Sequence, residues 1–206
     1  MRLVLLGAPG SGKGTQAQLI SKKFGLPHVS TGDIFRHHII NKTPLGVRIK
    51  EIIDAGRLCP DDITEEIVKE RLSRKDCENG YLLDGFPRDI AQATILDGFS
   101  SPDKVIEIVV DYSVIERRIT GRRSCPDCSG SFHTDIIGDT TVCPVCMGTL
   151  FTRKDDNPAA VKERLSVYKK RTLPLEKYYK DQGKLFKVNG DLPIEEVFSE
   201  IEKVLI

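Results

Sequence analysis

The sequence predicts an α/β protein whose core is a doubly wound, five-stranded parallel sheet. Short apolar runs alternate with helical patterns along the chain, and the first run opens directly into a glycine-rich turn. That combination places a ligand at the carboxyl ends of parallel strands. The 206 residues, 39% hydrophobic and 30% charged, describe an ordinary globular chain with one sizeable core and no repeat or low-complexity segment.

Taken in order, residues 3–6 form the first strand, followed by a helix through residue 24. A second strand over 27–30 leads into helices that run to about residue 73. Strand 81–84, a helix near 91–96, strand 105–111 and a helix over 113–121 come next. An irregular insert precedes a long helix over about 158–181, strand 185–188 and a last helix over 194–204.

Between the first strand and its helix stands Gly7-Ala8-Pro9-Gly10-Ser11-Gly12-Lys13-Gly14-Thr15. The glycines let backbone N–H groups crowd around phosphate oxygens, and Lys13 opens a helix whose positive end faces the anion, so this loop predicts a nucleoside polyphosphate site. Gly14 replaces the Ser or Thr that ligates magnesium in the general pattern, so metal binding leans on other groups.

Two further clusters stand where strands end. Ser30-Thr31-Gly32-Asp33-Ile34-Phe35-Arg36 follows the second strand; taken alone, Ser30 or Thr31 reads as an N-cap. Tyr81-Leu82-Leu83-Asp84-Gly85-Phe86-Pro87-Arg88 places an aspartate at a buried strand end, suited to hold magnesium through its water shell, and an arginine within reach of a phosphate. Basic residues bracket the insert: Arg118, Arg122 and Arg123 before it, Arg153 and Arg164 after it, with Asp155 and Asp156 as possible ion-pair partners.

The insert carries Cys125-x-x-Cys128 and, fourteen residues on, Cys143-x-x-Cys146. Two such knuckles match a tetrahedral thiolate site. Zinc is the default ion; iron in the same site and two disulfides are the alternatives. Four thiolates leave no open position, so the metal is structural.

Composition excludes several classes. Thirty-one basic against thirty acidic residues supply no long-range attraction for nucleic acid or membrane, and residues 124–152 contain no lysine or arginine. No apolar run approaches a membrane span, and the N-terminal run enters a lysine-bearing loop at once, unlike a cleavable signal. A cytoplasmic protein with reduced thiols is the expectation.

From these residues the chain resembles the adenylate kinase family in its long-lid, metal-binding bacterial form. The resemblance covers the whole length. It is carried by GAPGSGKGTQ, by STGD followed by Arg36, and by DGFPR with Gln92 four residues on. The frame GRR, CxxC, CxxC, RKDD and the closing Val188-Asn189-Gly190 complete it. The lid interior departs from the family, being shorter, with Ser129 inserted and Phe132-His133 where Tyr-His is usual.

The resemblance implies reversible phosphoryl transfer from MgATP to AMP, giving two ADP, with one structural Zn²⁺ per chain. It implies a P-loop core (residues 1–29, 60–123 and 157–206), an inserted helical AMP-binding segment (30–59) and a four-cysteine metal-binding lid (124–156). Gly10, Ser11, Gly12, Lys13, Gly14 and Thr15 would hold the ATP phosphates, with Lys13 on the transferring group. Arg118 and Arg122 serve ATP, and Phe132, His133 and Leu192 are nucleotide contacts. Arg36, Arg88, Arg153 and Arg164 grip the phosphates of AMP or the group in flight. Thr31, Arg57, Leu58, Cys59, Gly85, Phe86, Pro87 and Gln92 line the AMP pocket, and Asp84 orders the magnesium waters. Asp155 and Asp156 stand at the lid hinge, and a protein whose two covers must swing is most simply a monomer. The rival readings are a kinase for UMP, CMP or GMP and a P-loop protein whose ribbon docks nucleic acid.

Overall fold

The computed structural model describes residues 1–206. Strands β1 (Arg2–Gly7), β2 (His28–Ser30), β3 (Tyr81–Asp84), β4 (Lys104–Val109) and, near the C-terminus, Leu185–Asn189 form one parallel sheet. Its central strand β1 lies between β3 and β4, with β2 and Leu185–Asn189 at the edges. The chain turns to opposite sides of the sheet from β1, so the loop leaving β1 opens at the switch point.

Both faces of the sheet are covered, which is why β1 is apolar from Leu3 to Leu6 rather than alternating. Leu3 and Leu5 pack on one side with Ala17 and Ile20 of helix α1 (Lys13–Phe24). Val4 and Leu6 pack on the other, with Val68 from beyond β2 and Ala93 and Leu96 from beyond β3. Between β2 and β3 run α2 (Thr31–Ile40), α3 (Pro44–Asp54) and α4 (Asp61–Leu72). Phe35, Ile49, Cys59 and Ile63 give this segment a small core of its own. Caps fix its helix starts: Ser30 Oγ accepts from Asp33 N–H at 3.2 Å, and Thr43 Oγ1 from Gly46 N–H at 3.1 Å.

Helix α5 (Ile90–Ser100) extends beyond the expected 91–96, because Asp89 caps it at 2.9 Å. Strand β4 stops at Val109 instead of continuing to residue 111; Asp111 accepts from Ser113 N–H at 2.8 Å and starts a 3₁₀ turn before α6 (Ile115–Thr120). The insert is more regular than expected: β5 (Arg122–Ser124) and β6 (Ser131–His133) form an antiparallel ribbon, followed by one turn, α7 (Thr134–Ile137). The expected long helix is two. Helix α8 (Pro158–Val167) runs into a π turn (Tyr168–Thr172), and α9 (Leu175–Asp181) starts after Pro174, whose missing N–H breaks the helical ladder. Strand β7 (Leu185–Asn189) and α10 (Ile194–Leu205) close the chain, α10 packing beside α1 on the Leu3 face. No helix is long and apolar enough to cross a membrane.

Helices α2 and α3 meet where only glycine fits: a Cβ at Gly46 would lie 2.0 Å from the His38 carbonyl oxygen. Gly46→Ala should therefore lower stability by ~1–3 kcal/mol, as overpacking does, read as a shifted denaturant midpoint. An unchanged midpoint would show that the two helices separate without cost.

Candidate phosphate and nucleotide site

The loop after β1 is shaped to bind an anion. Gly12 takes φ 95°, a left-handed conformation that an L side chain resists, and this opens α1 with no side-chain cap and no acidic residue in its first turn. The first N–H groups of α1 are thus left for a ligand. By contrast, α4 and α10 carry Asp61, Asp62, Glu195 and Glu196 in their first turns. Within the loop Ser11 is buried, Gly10 and Thr15 are half-buried, and the Lys13 ammonium donates to the carbonyls of Gly7 and Ala8 at 2.9 Å each.

Asp84 ends β3 beside this loop; a Cβ at Gly14 would stand 3.9 Å from its Oδ2. Burial works against its charge, but the His28 ring, 3.7 Å from its Oδ2, and the positive charges of Lys13 and Arg88 outweigh that and hold the carboxyl down at about 2. Lys13 moves the other way. Burial lowers it, Asp84 opposes, and Arg88, Arg164 and Arg122 lower it further, to about 7.

Five arginines converge on the same edge with Lys13. Arg88 donates from Nε to the Gly85 carbonyl at 2.7 Å, and burial with the Arg36 charge lowers it. Arg153 donates to Ser124 Oγ at 2.8 Å, and burial with the charges of Arg36 and Arg122 lowers it to about 9. Arg122 holds Asp156, whose side chain is fully buried, through Nε at 2.8 Å and NH2. Arg164 reaches Asp155 at 2.9 Å and Asp156 at 3.5 Å; burial is the main cause lowering it, to about 10. Arg36 pairs with Asp33. Guanidiniums keep their protons at neutral pH, so these directions record burial first and neighbouring positive charge second. Lys13, Arg88 and Arg153 form no ion pair at all: each donates only to carbonyl or hydroxyl oxygen.

Beside this cluster lies a cavity of about 120 Å³ lined by Thr31, Arg36, Arg57, Leu58, Cys59, Gly85, Arg88, Gln92 and Arg164. Phe86, fully buried, and Pro87 shape the turn from β3 that presents Arg88. Cys59 both lines the cavity and packs in the small core of α2 to α4, and burial pushes its thiol up. The sequence had not pointed to Val167, Tyr168 or Thr172, which line the cavity from α8 and the π turn; Thr172 Oγ1 donates to the Arg88 carbonyl at 2.8 Å. A predicted uninterrupted helix hid them.

The remaining predicted contacts separate into two places. Arg118 donates to the Gly190 carbonyl at 3.0 Å and stands 3.6 Å from Asp191, next to Leu192 at the end of β7. Phe132 packs instead against the lid thiols, and His133 Nε2 meets the Arg117 carbonyl at 3.0 Å while its Nδ1 accepts from Asp135 N–H. In the lid, the sulfurs of Cys125, Cys128, Cys143 and Cys146 lie within 4.8 Å of one another, and all four cysteines are free thiols. The closest pairs, at 3.4 and 3.6 Å, approach the ~3.8 Å edge of a tetrahedron with ~2.3 Å metal–sulfur bonds. The donor set fits one divalent ion.

A phosphate loop at the switch point of a parallel sheet, ringed by half-buried arginines and by inserted ribbon and helical segments, defines a P-loop phosphotransferase acting on nucleotides. The adenylate kinase family profile matches residues 5–184. Adenylate kinases of Clostridium botulinum (strain 657 / Type Ba4) and Clostridium tetani (strain Massachusetts / E88) are 52% and 50% identical, each alignment covering 100% of this chain and 98% of the relative. That of Clostridium kluyveri (strain NBRC 12016) is 47% identical over the same shares. The chain belongs to the adenylate kinase family, the nucleoside monophosphate kinases.

Because Lys13 loses its proton as pH rises through about 7, an anion at this loop is held more weakly above that pH. Sulfate, which does not titrate in this range, should raise the melting temperature more at pH 6.5 than at pH 8.5. In Lys13→Met that pH difference should vanish; an equal difference in both proteins would place the titrating group elsewhere.

Proposed function

We propose that this protein transfers the γ-phosphoryl group of MgATP reversibly to AMP, giving two ADP. The observation that carries the proposal is the trio Lys13, Arg88 and Arg153, which have only neutral partners; Lys13 belongs to the phosphate loop, and Arg88 lines the cavity that Thr31 and Gln92 also line. A loose transition state spreads negative charge over the group in flight, and stabilising it calls for preorganised cations rather than a covalent nucleophile.

On this reading Gly10 to Thr15 hold the ATP phosphates, Lys13 follows the transferring group, and Arg118 and Leu192 serve the base end of ATP. Arg36, Arg88 and Arg164 grip AMP, with Thr31, Arg57 to Cys59 and Gln92 around its nucleoside. Arg122 and Arg153 reach in from the base of the lid. Magnesium, when bound with ATP, supplies further positive charge; Asp84, kept ionised, and the nearby Thr15 hydroxyl suit its hydration shell.

The division into a core (residues 1–29, 60–123 and 157–206), an AMP-binding segment (30–59) and a lid (124–156) belongs to the same reading, both segments closing to exclude water from the transfer. The lid ion is proposed to be one Zn²⁺ per chain, which takes four thiolates without redox chemistry and leaves no open position for catalysis. Its thiolate ligands suit a reducing cytoplasm; the same reading takes the enzyme to be a monomer, and the absence of lysine and arginine from residues 124–152 argues against nucleic acid as a partner.

Purified protein with Mg²⁺ should convert ATP and AMP to ADP in a coupled assay. Lys13→Ala and Arg88→Ala should each lower the rate by at least ~10²-fold with little change in melting temperature; full activity in both would remove the assignment.

The lid's own core consists of Cys125, Cys143 and Leu150 with Phe132 and Ile137 against them, so metal binding there is folding free energy. Replacing Cys125 and Cys128 by Ser should abolish stoichiometric zinc by elemental analysis and lower the melting temperature, leaving measurable activity in the cold. Unchanged stability would show that the ion is dispensable to the fold.

A further inference from the structure

We propose that Asp61 and Arg171 are positioning residues that lock the Gln92 amide in one orientation, and that this locked amide makes the cavity select a 6-amino purine over a 6-oxo purine. The inference rests on the reading of that cavity as the monophosphate site.

Gln92 lines the cavity and is 1% exposed. Its Oε1 accepts from the Arg88 backbone N–H at 2.8 Å, and its Nε2 donates to Asp61 Oδ1 at 2.6 Å. A backbone N–H can only donate and an ionised carboxylate can only accept, so these two partners define which amide atom is which. A half-turn of the amide would set donor against donor and lone pair against lone pair, both out of water. Each amide atom keeps one further valence, a lone pair on Oε1 and an N–H on Nε2. The amide can therefore offer a base one acceptor and one donor in a fixed order.

That order matters chemically. Adenine presents an N6 amino donor beside the N1 acceptor; hypoxanthine and guanine present an O6 acceptor beside an N1–H donor. A freely turning amide serves either edge, whereas a locked one serves only one of them for a given seating of the base; on the proposed function that one is the first.

Arg171 holds the lock in place. It leaves the π turn to donate to Asp61 Oδ2 at 3.0 Å and also to Asp89 Oδ2. Asp89 in turn accepts from the Gln92 backbone N–H at 2.9 Å. One guanidinium thus fixes both carboxylates that hold Gln92, the first by its side chain and the second by its backbone. Neither Asp61 nor Arg171 is expected to touch the base.

The test is steady-state kinetics with AMP and with inosine monophosphate as acceptor, at saturating MgATP, for the unmodified protein, Asp61→Asn, Arg171→Met and Gln92→Leu. Melting curves establish which variants fold. Asn can donate as well as accept, so Asp61→Asn removes the carboxylate that fixes Nε2 and leaves only the Arg88 N–H to orient the amide. The ratio of kcat/KM for AMP over inosine monophosphate should fall by at least ~10-fold, the scale of mispairing one buried polar group, with the KM for ATP unmoved. Arg171→Met, which keeps the Asp61 carboxylate but releases it, should shift the ratio in the same direction by at least about 3-fold and decides the matter if Asp61→Asn does not fold. A purely structural role would lower both acceptors together and leave the ratio unchanged, overturning the proposal. If Gln92→Leu lowers kcat/KM for AMP by at least ~10-fold while the ratio holds in the folded positioning variants, the amide reads the base without being locked. If Gln92→Leu changes neither acceptor, the monophosphate reading of the cavity fails and the lock falls with it.

Discussion

Like charge held together out of bulk water is the constraint from which this structure is built. Lys13, Arg36, Arg88, Arg122, Arg153 and Arg164 meet at the carboxyl edge of the sheet, and only three of them, Arg36, Arg122 and Arg164, form ion pairs. The other three donate to neutral oxygens, so their mutual repulsion is relieved only by solvent or by an anion. Such a cluster costs stability, and the apolar run Leu3 to Leu6 of β1, packed on both faces, helps offset it. The rigid sheet also prevents the cations from relaxing apart, which is the condition for electrostatic preorganisation.

The carboxylates nearby divide the arginines by role. Asp155 and Asp156 lie between the lid and α8, and they engage Arg122 from the lid side and Arg164 from α8. Removing Asp156 would leave Arg122 without its countercharge and Arg164 with Asp155 alone, so charge ties this segment to α8. The rest of the lid has little apolar core and depends on its thiol cluster. On the functional reading proposed above, a lid organised in this way moves as a unit, since its internal cohesion and its attachment come from different interactions.

Much of this was legible in the sequence because the signals were local. Five parallel strands follow from apolar runs, the anion loop from glycine spacing, and the four-thiol cluster from two C-x-x-C pairs. What stayed hidden depends on tertiary contact. The break at Pro174 turns one expected helix into two with a π turn between them, and that turn delivers Tyr168 and Thr172 to the cavity. Phe132 occupies a strand position, but whether its ring faces the nucleotide or the thiols is decided by the ribbon register with Arg123 and by packing on Leu150. No residue-level pattern marks Arg171, whose partners lie 110 and 82 positions away in the chain.

The peptide unit of Arg88 joins the two tasks assigned to the cavity. Its N–H is held by Gln92, its carbonyl accepts from Thr172, and its side chain is aimed by the Gly85 carbonyl. On the functional reading proposed here, the group that reads the base and the group that grips the phosphate share one backbone segment. A displacement of Gln92 would then shift the Arg88 guanidinium as well. Misplacement of a reacting group by ~1 Å is enough to cost a large factor in rate. A base that fails to satisfy the amide would thereby be penalised twice, once in binding and once in the chemical step, with no contact between base and phosphate required.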